Sequence, residues 1–141
     1  LEIRHANLGR DDLRRYIKNM NESSEDLLLA ICLLESKKHI GNIRLGPIDK
    51  RNNRADLGLL IGDKDCWGKG YATEAIKKVT AYAFGELNLH RVEAGAYAIN
   101  EGSLKAFQKV GYEIEGCLTS HWLTEDGYVD EILVGIVRDE H

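Results

Sequence analysis

The stretch Asp65-Cys66-Trp67-Gly68-Lys69-Gly70-Tyr71-Ala72-Thr73-Glu74-Ala75 constrains this chain more than any other. It joins a predicted strand, Ala55 to Ile61, to a predicted helix, Tyr71 to about Leu87. Two glycines one residue apart allow a tight turn and a close approach of backbone to a bound group, with no Cβ in the way. The helix that follows leaves its first N–H groups without intrahelical acceptors and points the positive end of its dipole at the loop. Strand, glycine turn and helix N-terminus together form a cradle suited to phosphate.

The elements around this loop indicate the fold class. Asp11 to Met20 reads as a helix, with Leu13, Tyr16, Ile17 and Met20 on one face; residues 1 to 9 give little signal. Periodicity alone allows a strand or a short buried helix over Leu27 to Leu34; the turn Glu35 to Lys38 and the strand His39 to Leu45 that follow favour a hairpin, and Pro47 reads as loop. The helix after the glycine turn carries an apolar stripe of Ala72, Ala75, Ile76, Val79, Tyr82 and Ala83, with Glu74 and Lys78 at the i,i+4 spacing of a favourable ion pair. Arg91 to Ala98 is then a strand reached by a helical crossover, hence parallel to Ala55–Ile61. Ser103 to Val110 is a short helix closed by Gly111, with Asn100 to Ser103 as loop and N-cap. Tyr112–His121 and Tyr128–Val137 form a hairpin around Thr124-Glu125-Asp126-Gly127. The class is α+β, with one parallel pair in a mixed, mostly antiparallel sheet.

At 141 residues the chain is long enough for one domain with its own core. A net charge of -4 argues against a nucleic-acid platform or a basic membrane arm. No apolar run is long enough to span a bilayer. The three cysteines, Cys32, Cys66 and Cys117, form no C-x-x-C pair, which suits reduced thiols in the cytoplasm and gives no metal site. Cys66 reads as an incidental loop thiol rather than a nucleophile.

Two blocks carry a resemblance. One is Ala55-Asp56-Leu57-Gly58-Leu59-Leu60-Ile61 followed by Trp67-Gly68-Lys69-Gly70-Tyr71-Ala72-Thr73-Glu74-Ala75. The other runs from Tyr82 through Arg91 and Val92 to Asn100-Glu101-Gly102-Ser103-Leu104-Lys105-Ala106-Phe107-Gln108-Lys109-Val110-Gly111-Tyr112. Together they resemble the Gcn5-related N-acetyltransferase (GNAT) superfamily, in particular its ribosomal-protein N-terminal (alanine) acetyltransferase branch. The resemblance implies a sheet whose two central parallel strands splay apart, with flanking helices. It also implies transfer of an acetyl group from acetyl-CoA, as co-substrate, to a primary amine by direct attack. The acceptor would be a protein N-terminus or a small-molecule amine, and a homodimer is allowed. The alternative is a non-catalytic acyl-CoA-binding or sensing module with the same fold.

On that resemblance the cofactor would be held by Leu60, Ile61, Trp67, Gly68, Lys69, Gly70, Tyr71, Ala72 and Thr73, and by Asn100, Ser103, Phe107 and Lys109. Asp56 is the candidate base and Ser103 the one nearby hydroxyl for the departing thiolate. Glu93 and Tyr97 are weaker candidates. Asp56 reads equally as a strand-start acid paired with Arg54 or Lys50, and Asn100 and Ser103 read equally as an Asx-turn and helix cap. Lys64 and Lys105 read as surface lysines; His90 and His121 receive no role. Trp122, Tyr128 and the Thr124–Gly127 turn are candidates for the acceptor side.

Two positions depart from the family pattern. Asp65 stands where Gln or Arg often opens the loop, and Phe107 stands where many relatives carry a tyrosine that protonates the thiolate. Members of this branch also usually begin with a strand and helix ahead of the one at Asp11. Their expected absence here would leave the edge of the sheet open.

Overall fold

The computed structural model describes residues 2–5, 26–34, 36–62, 64–97 and 100–139. Within them lie seven strands in one sheet: β1 (Glu2–His5), β2 (Leu27–Cys32), β3 (His39–Asp49), β4 (Arg54–Ile61), β5 (Arg91–Tyr97), β6 (Glu113–Thr124) and β7 (Gly127–Val137). The spatial order is β1-β2-β3-β4-β5-β7-β6. Two helices of the described residues follow the glycine loop, α1 (Tyr71–Gly85) and α2 (Glu101–Val110). The helix expected over Asp11 to Met20 lies outside the described residues. Ahead of that position, β1 pairs antiparallel with β2 from Glu2↔Cys32 to His5↔Leu29. A strand thus covers the β2 edge that was expected to stand open. Four residues are too few to show a period, which is why residues 1 to 9 gave no signal.

All neighbouring strands pair antiparallel except β4 and β5. Their parallel arrangement follows from α1, which carries the chain back over the sheet between them. Alternation along β4 puts Ala55 and Leu57 in the core and Arg54, Asp56, Gly58 and Leu60 on the exposed face. Ala55 and Leu57 share one buried cluster with Ala75, Ile76, Val79 and Ala83 of α1, Ala106 and Phe107 of α2, Val92 of β5 and Val134 of β7. Thr80 takes a buried place on the α1 face, whereas Tyr82, expected in the stripe, is exposed. The Thr80 hydroxyl is satisfied there by the hydroxyl of buried Tyr112 at 2.7 Å.

Pro47 lies inside β3 rather than in a loop. The β3–β4 register breaks between Leu45 and Ile48. That interruption takes Pro47 out of the ladder, so its missing N–H costs no pairing. The α2 helix starts at Glu101, two residues before the expected Ser103. Its cap is Asn100, whose side-chain oxygen accepts the Ser103 N–H at 3.1 Å. Gly111 closes it in a left-handed conformation, φ 117°, as the sequence pattern predicts. The final hairpin turns at Thr124–Gly127, with the Thr124 hydroxyl donating to the Gly127 carbonyl at 2.8 Å.

Candidate active site

The site begins where β4 and β5 part. They pair only at Arg54↔Arg91, Ala55↔Val92 and Asp56↔Glu93. Beyond that point β4 runs on to Ile61 against β3, while β5 runs on to Tyr97 against β7. The result is a V-shaped gap in the middle of the sheet, with Asp56 and Glu93 at its vertex. The Gly62 N–H donates to Ile40 of β3 at 3.1 Å. Peptide groups alternate sides along a strand, so those of Leu59 and Ile61 and the carbonyl of Leu57 point into the gap and those of Leu60 point to β3. Backbone donors and acceptors of this kind seek a partner, and the gap offers them to an extended ligand.

The glycine loop lies at the open end of the V. Residues Lys64–Cys66 form a short 3-10 turn, with exposed Asp65 at its centre. Cys66 is buried in the core cluster, which accounts for it as an anchor of the loop. The Trp67 indole Nε1 donates to the Ile61 carbonyl oxygen at 2.7 Å, folding the loop back on the end of β4. Gly68 and Gly70 then adopt φ of +76° and +80°, the left-handed region that a side chain disfavours. Gly70 is the N-cap of α1 and supplies no side-chain bond to it. The first α1 bond runs from the Glu74 N–H to the Gly70 carbonyl, leaving Tyr71, Ala72 and Thr73 N–H without helical acceptors. Lys69 is exposed between the two glycines.

At the vertex the charges are arranged asymmetrically. The Arg54 guanidinium pairs with Glu93 and, at 3.6 Å, with Asp49. Arg91 reaches the other Glu93 oxygen at 3.3 Å and also pairs with Glu115. Glu93 is therefore held by two guanidinium groups. Asp56, next to it in register, has its carboxyl pushed above the usual range, first by burial and then by the Glu93 charge. Arg54, the alternative partner, pairs with Glu93 and Asp49, and its charge opposes the rise at Asp56 without cancelling it. A carboxylate with raised proton affinity beside a gap in the sheet is placed to accept a proton from a group bound there. An open concavity of about 350 Å³ adjoins Asp56, lined also by Pro47, Ile48, Asp49, Arg54 and Ala55. It lies at the start of β4, away from the glycine loop.

The remaining expected residues divide. Asn100 and Ser103 meet as helix cap and first-turn N–H, which leaves the Ser103 hydroxyl free of the capping bond. Phe107 is buried and meets Tyr112 edge-to-face at 5.0 Å, so its ring belongs to the core. Tyr112 supplies no substitute acid from there: burial pushes its hydroxyl up to about 12, and Thr80 occupies it. Lys109 sits in the last turn of α2, about 14 Å along the helix from the Asn100 end. Its position complements the helix dipole. Lys105 is exposed, the His90 N–H donates to Asn53, and His121 lies 3.7 Å from Glu131 and edge-on to Trp122. The exposed Trp122 and Tyr128 sit near the hairpin tip. Glu93 is only a weak candidate in the sequence, where nothing local marks its two arginine partners. The Asp56↔Glu93 register is long-range, and only the parallel pairing reveals it.

Comparison with known proteins places the chain in a family. Residues 3–113 match the family model described as an acetyltransferase (GNAT) domain. The chain belongs to the GNAT acetyltransferases. This GNAT domain is 28% identical over 130 residues, 92% of its length, to an uncharacterized N-acetyltransferase, p20, of Bacillus licheniformis, of which the match covers 72%. It is 26% identical over 126 residues to the spermidine N(1)-acetyltransferase of Escherichia coli K12, covering 89% of this chain and 66% of that protein. Among solved structures, a chimera of the Vibrio cholerae spermidine N-acetyltransferase SpeG and hSSAT superposes with a TM-score of 0.84 at 19% identity, over 97% of this chain and 96% of the other. That likeness establishes the fold. Matches to the first curated relatives span from 52% to 75% of those proteins' lengths. No helix of the described residues is long and apolar enough to cross a membrane.

Proposed function

We propose that this GNAT domain, acting as a single unit, transfers the acetyl group of acetyl-CoA to the primary amine of a small cationic acceptor. The observation that carries the proposal is the β4–β5 gap opening toward a preformed glycine loop. The N–H groups at the start of α1 would receive the pyrophosphate of the cofactor, with Lys69 adding positive charge. The pantetheine arm would run along the Ile61 N–H, the Leu59 peptide and the Leu57 carbonyl, bringing the thioester toward the vertex. Loop backbone carries most of this binding, so exposed Asp65 is tolerated at the loop opening.

At the vertex Asp56 accepts the proton of the acceptor ammonium, directly or through a water, and the free amine attacks the thioester carbonyl. The oxyanion of the tetrahedral intermediate is stabilised by an inward N–H of β4, Leu59 being well placed. Collapse releases the thiol of coenzyme A. A thiol is a fair leaving group with a pKa of roughly 8.5. Solvent, the Ser103 hydroxyl or the proton lost from the attacking amine therefore suffices, and a phenylalanine at position 107 does not block the step.

Cationic acceptors are favoured by the Asp56 carboxylate at the vertex and by likeness to relatives named for spermidine. The test is free-thiol release from acetyl-CoA with spermidine, a monoamine and a short peptide with a free N-terminus. Turnover greatest with the polyamine is expected. Turnover with the peptide alone would move the acceptor to a protein N-terminus, and cofactor binding without turnover on any amine would favour the sensing module.

A further inference from the structure

The geometry points to Trp67 as a positioning residue that latches the glycine loop to the splayed strand, rather than as a wall for the cofactor. The inference rests on the proposed reading of the loop as the coenzyme A site. Its basis is the 2.7 Å bond from indole Nε1 to the Ile61 carbonyl oxygen. Alternation along β4 turns that carbonyl into the gap. It is the last β4 acceptor before the chain leaves the sheet, and Trp67 engages it from the loop side.

Three ties fix the segment between β4 and α1. The Gly62 N–H binds Ile40 of β3 at 3.1 Å. The Cys66 side chain is buried in the core. The Trp67 indole closes the turn back onto Ile61, six residues earlier. Immediately after this third tie come the two left-handed glycines and the N–H groups of Tyr71, Ala72 and Thr73, which have no acceptor within the helix. Because the loop is tied on both sides of Cys66, the direction in which α1 presents those groups is set before a ligand arrives. The ring itself is 59% exposed, so its packing contributes less than its bond.

The latch couples two halves of one ligand's site. The strand half would hold the pantetheine arm, and the loop half would hold the pyrophosphate. Loosening the tie should leave each half intact and spoil their relative placement. The cost should then fall on a ligand that spans both halves, and not on one that occupies the strand alone.

The experiment compares Trp67→Phe, which keeps an aromatic ring and removes the N–H, with the parent. The readouts are calorimetric binding of coenzyme A, steady-state kinetics with acetyl-CoA and with S-acetylpantetheine, which lacks the pyrophosphate, and the thermal midpoint. One exposed hydrogen bond predicts coenzyme A binding weakened about three- to ten-fold. The KM for acetyl-CoA should rise in parallel while kcat stays within about two-fold of the parent, the KM for S-acetylpantetheine should not change, and the midpoint should fall by less than about 3 °C. Trp67→His, with a ring N–H restored, should recover part of the loss. Equal binding by Trp67→Phe and the parent overturns the latch, as does an equal loss for the two acyl donors or a variant that fails to fold. A parent that binds no coenzyme A overturns the site reading and the latch with it.

Discussion

Gly41 pairs with Ile61 at the end of β3, beside the strand that lines the gap. A Cβ built there would sit under 3.0 Å from the Leu60 carbonyl oxygen and 2.8 Å from the Ile61 Cα, and both are backbone atoms that cannot swing aside. Relief of Gly41→Ala must come from moving β4 away from β3. Overpacking of this type costs about 1–3 kcal/mol, and two backbone contacts place this case toward the upper end. For a chain of this length the unfolding entropy makes each kcal/mol worth about 3–4 °C, so the midpoint should drop by about 6–10 °C. Gly58 lies on the same strand pair, and a Cβ there meets nothing within 4 Å. Gly58→Ala is the matched control and should change the midpoint by less than about 3 °C, toward stabilisation. Differential scanning calorimetry of parent and both variants reads the contrast. A Gly41→Ala midpoint within a degree of the parent would refute the close packing of β3 on β4 at the mouth of the gap.

Two further predictions test the vertex and the core. Asp56→Asn should lower kcat by roughly 10²- to 10⁴-fold with little change in coenzyme A binding, and should remove the acid limb of the pH–rate profile that the raised carboxyl sets. Because the folded protein raises that pKa, Asp56 favours the fold below the ordinary value of 3.8 and loses that contribution as pH rises through the folded value. The asparagine variant should therefore be slightly more stable than the parent at pH 7, by less than about 1 kcal/mol, with the gain fading toward pH 4 in urea titrations. Tyr112→Phe strands the buried Thr80 hydroxyl at a cost of about 1–3 kcal/mol, and adding Thr80→Val should recover part of it. Strict additivity of the two changes would contradict the bond.

Much of this fold was legible because its signals are local. The α1 and α2 helices, the Thr124–Gly127 turn and the glycine loop are written in short-range periodicity and in residues with distinctive backbone preferences. The parallel β4–β5 pairing followed from the crossover helix. What escaped was set at long range or by too few residues. β1 is four residues long, Pro47 is tolerated only because the β3 ladder is interrupted, and the hold of Arg54 and Arg91 on Glu93 depends on β4 and β5 coming into register. The role of Trp67 was hidden for a different reason. A tryptophan beside two glycines suggests a ligand wall, and only the bond to Ile61 shows that it faces its own strand.

Titration of the protein with coenzyme A in a calorimeter tests the central claim most directly, since that one ligand would occupy loop, gap and vertex together. One molecule bound per chain is expected, with competition by acetyl-CoA and weaker binding as salt screens the pyrophosphate contacts. The absence of binding heat and of competition at millimolar ligand would contradict the account.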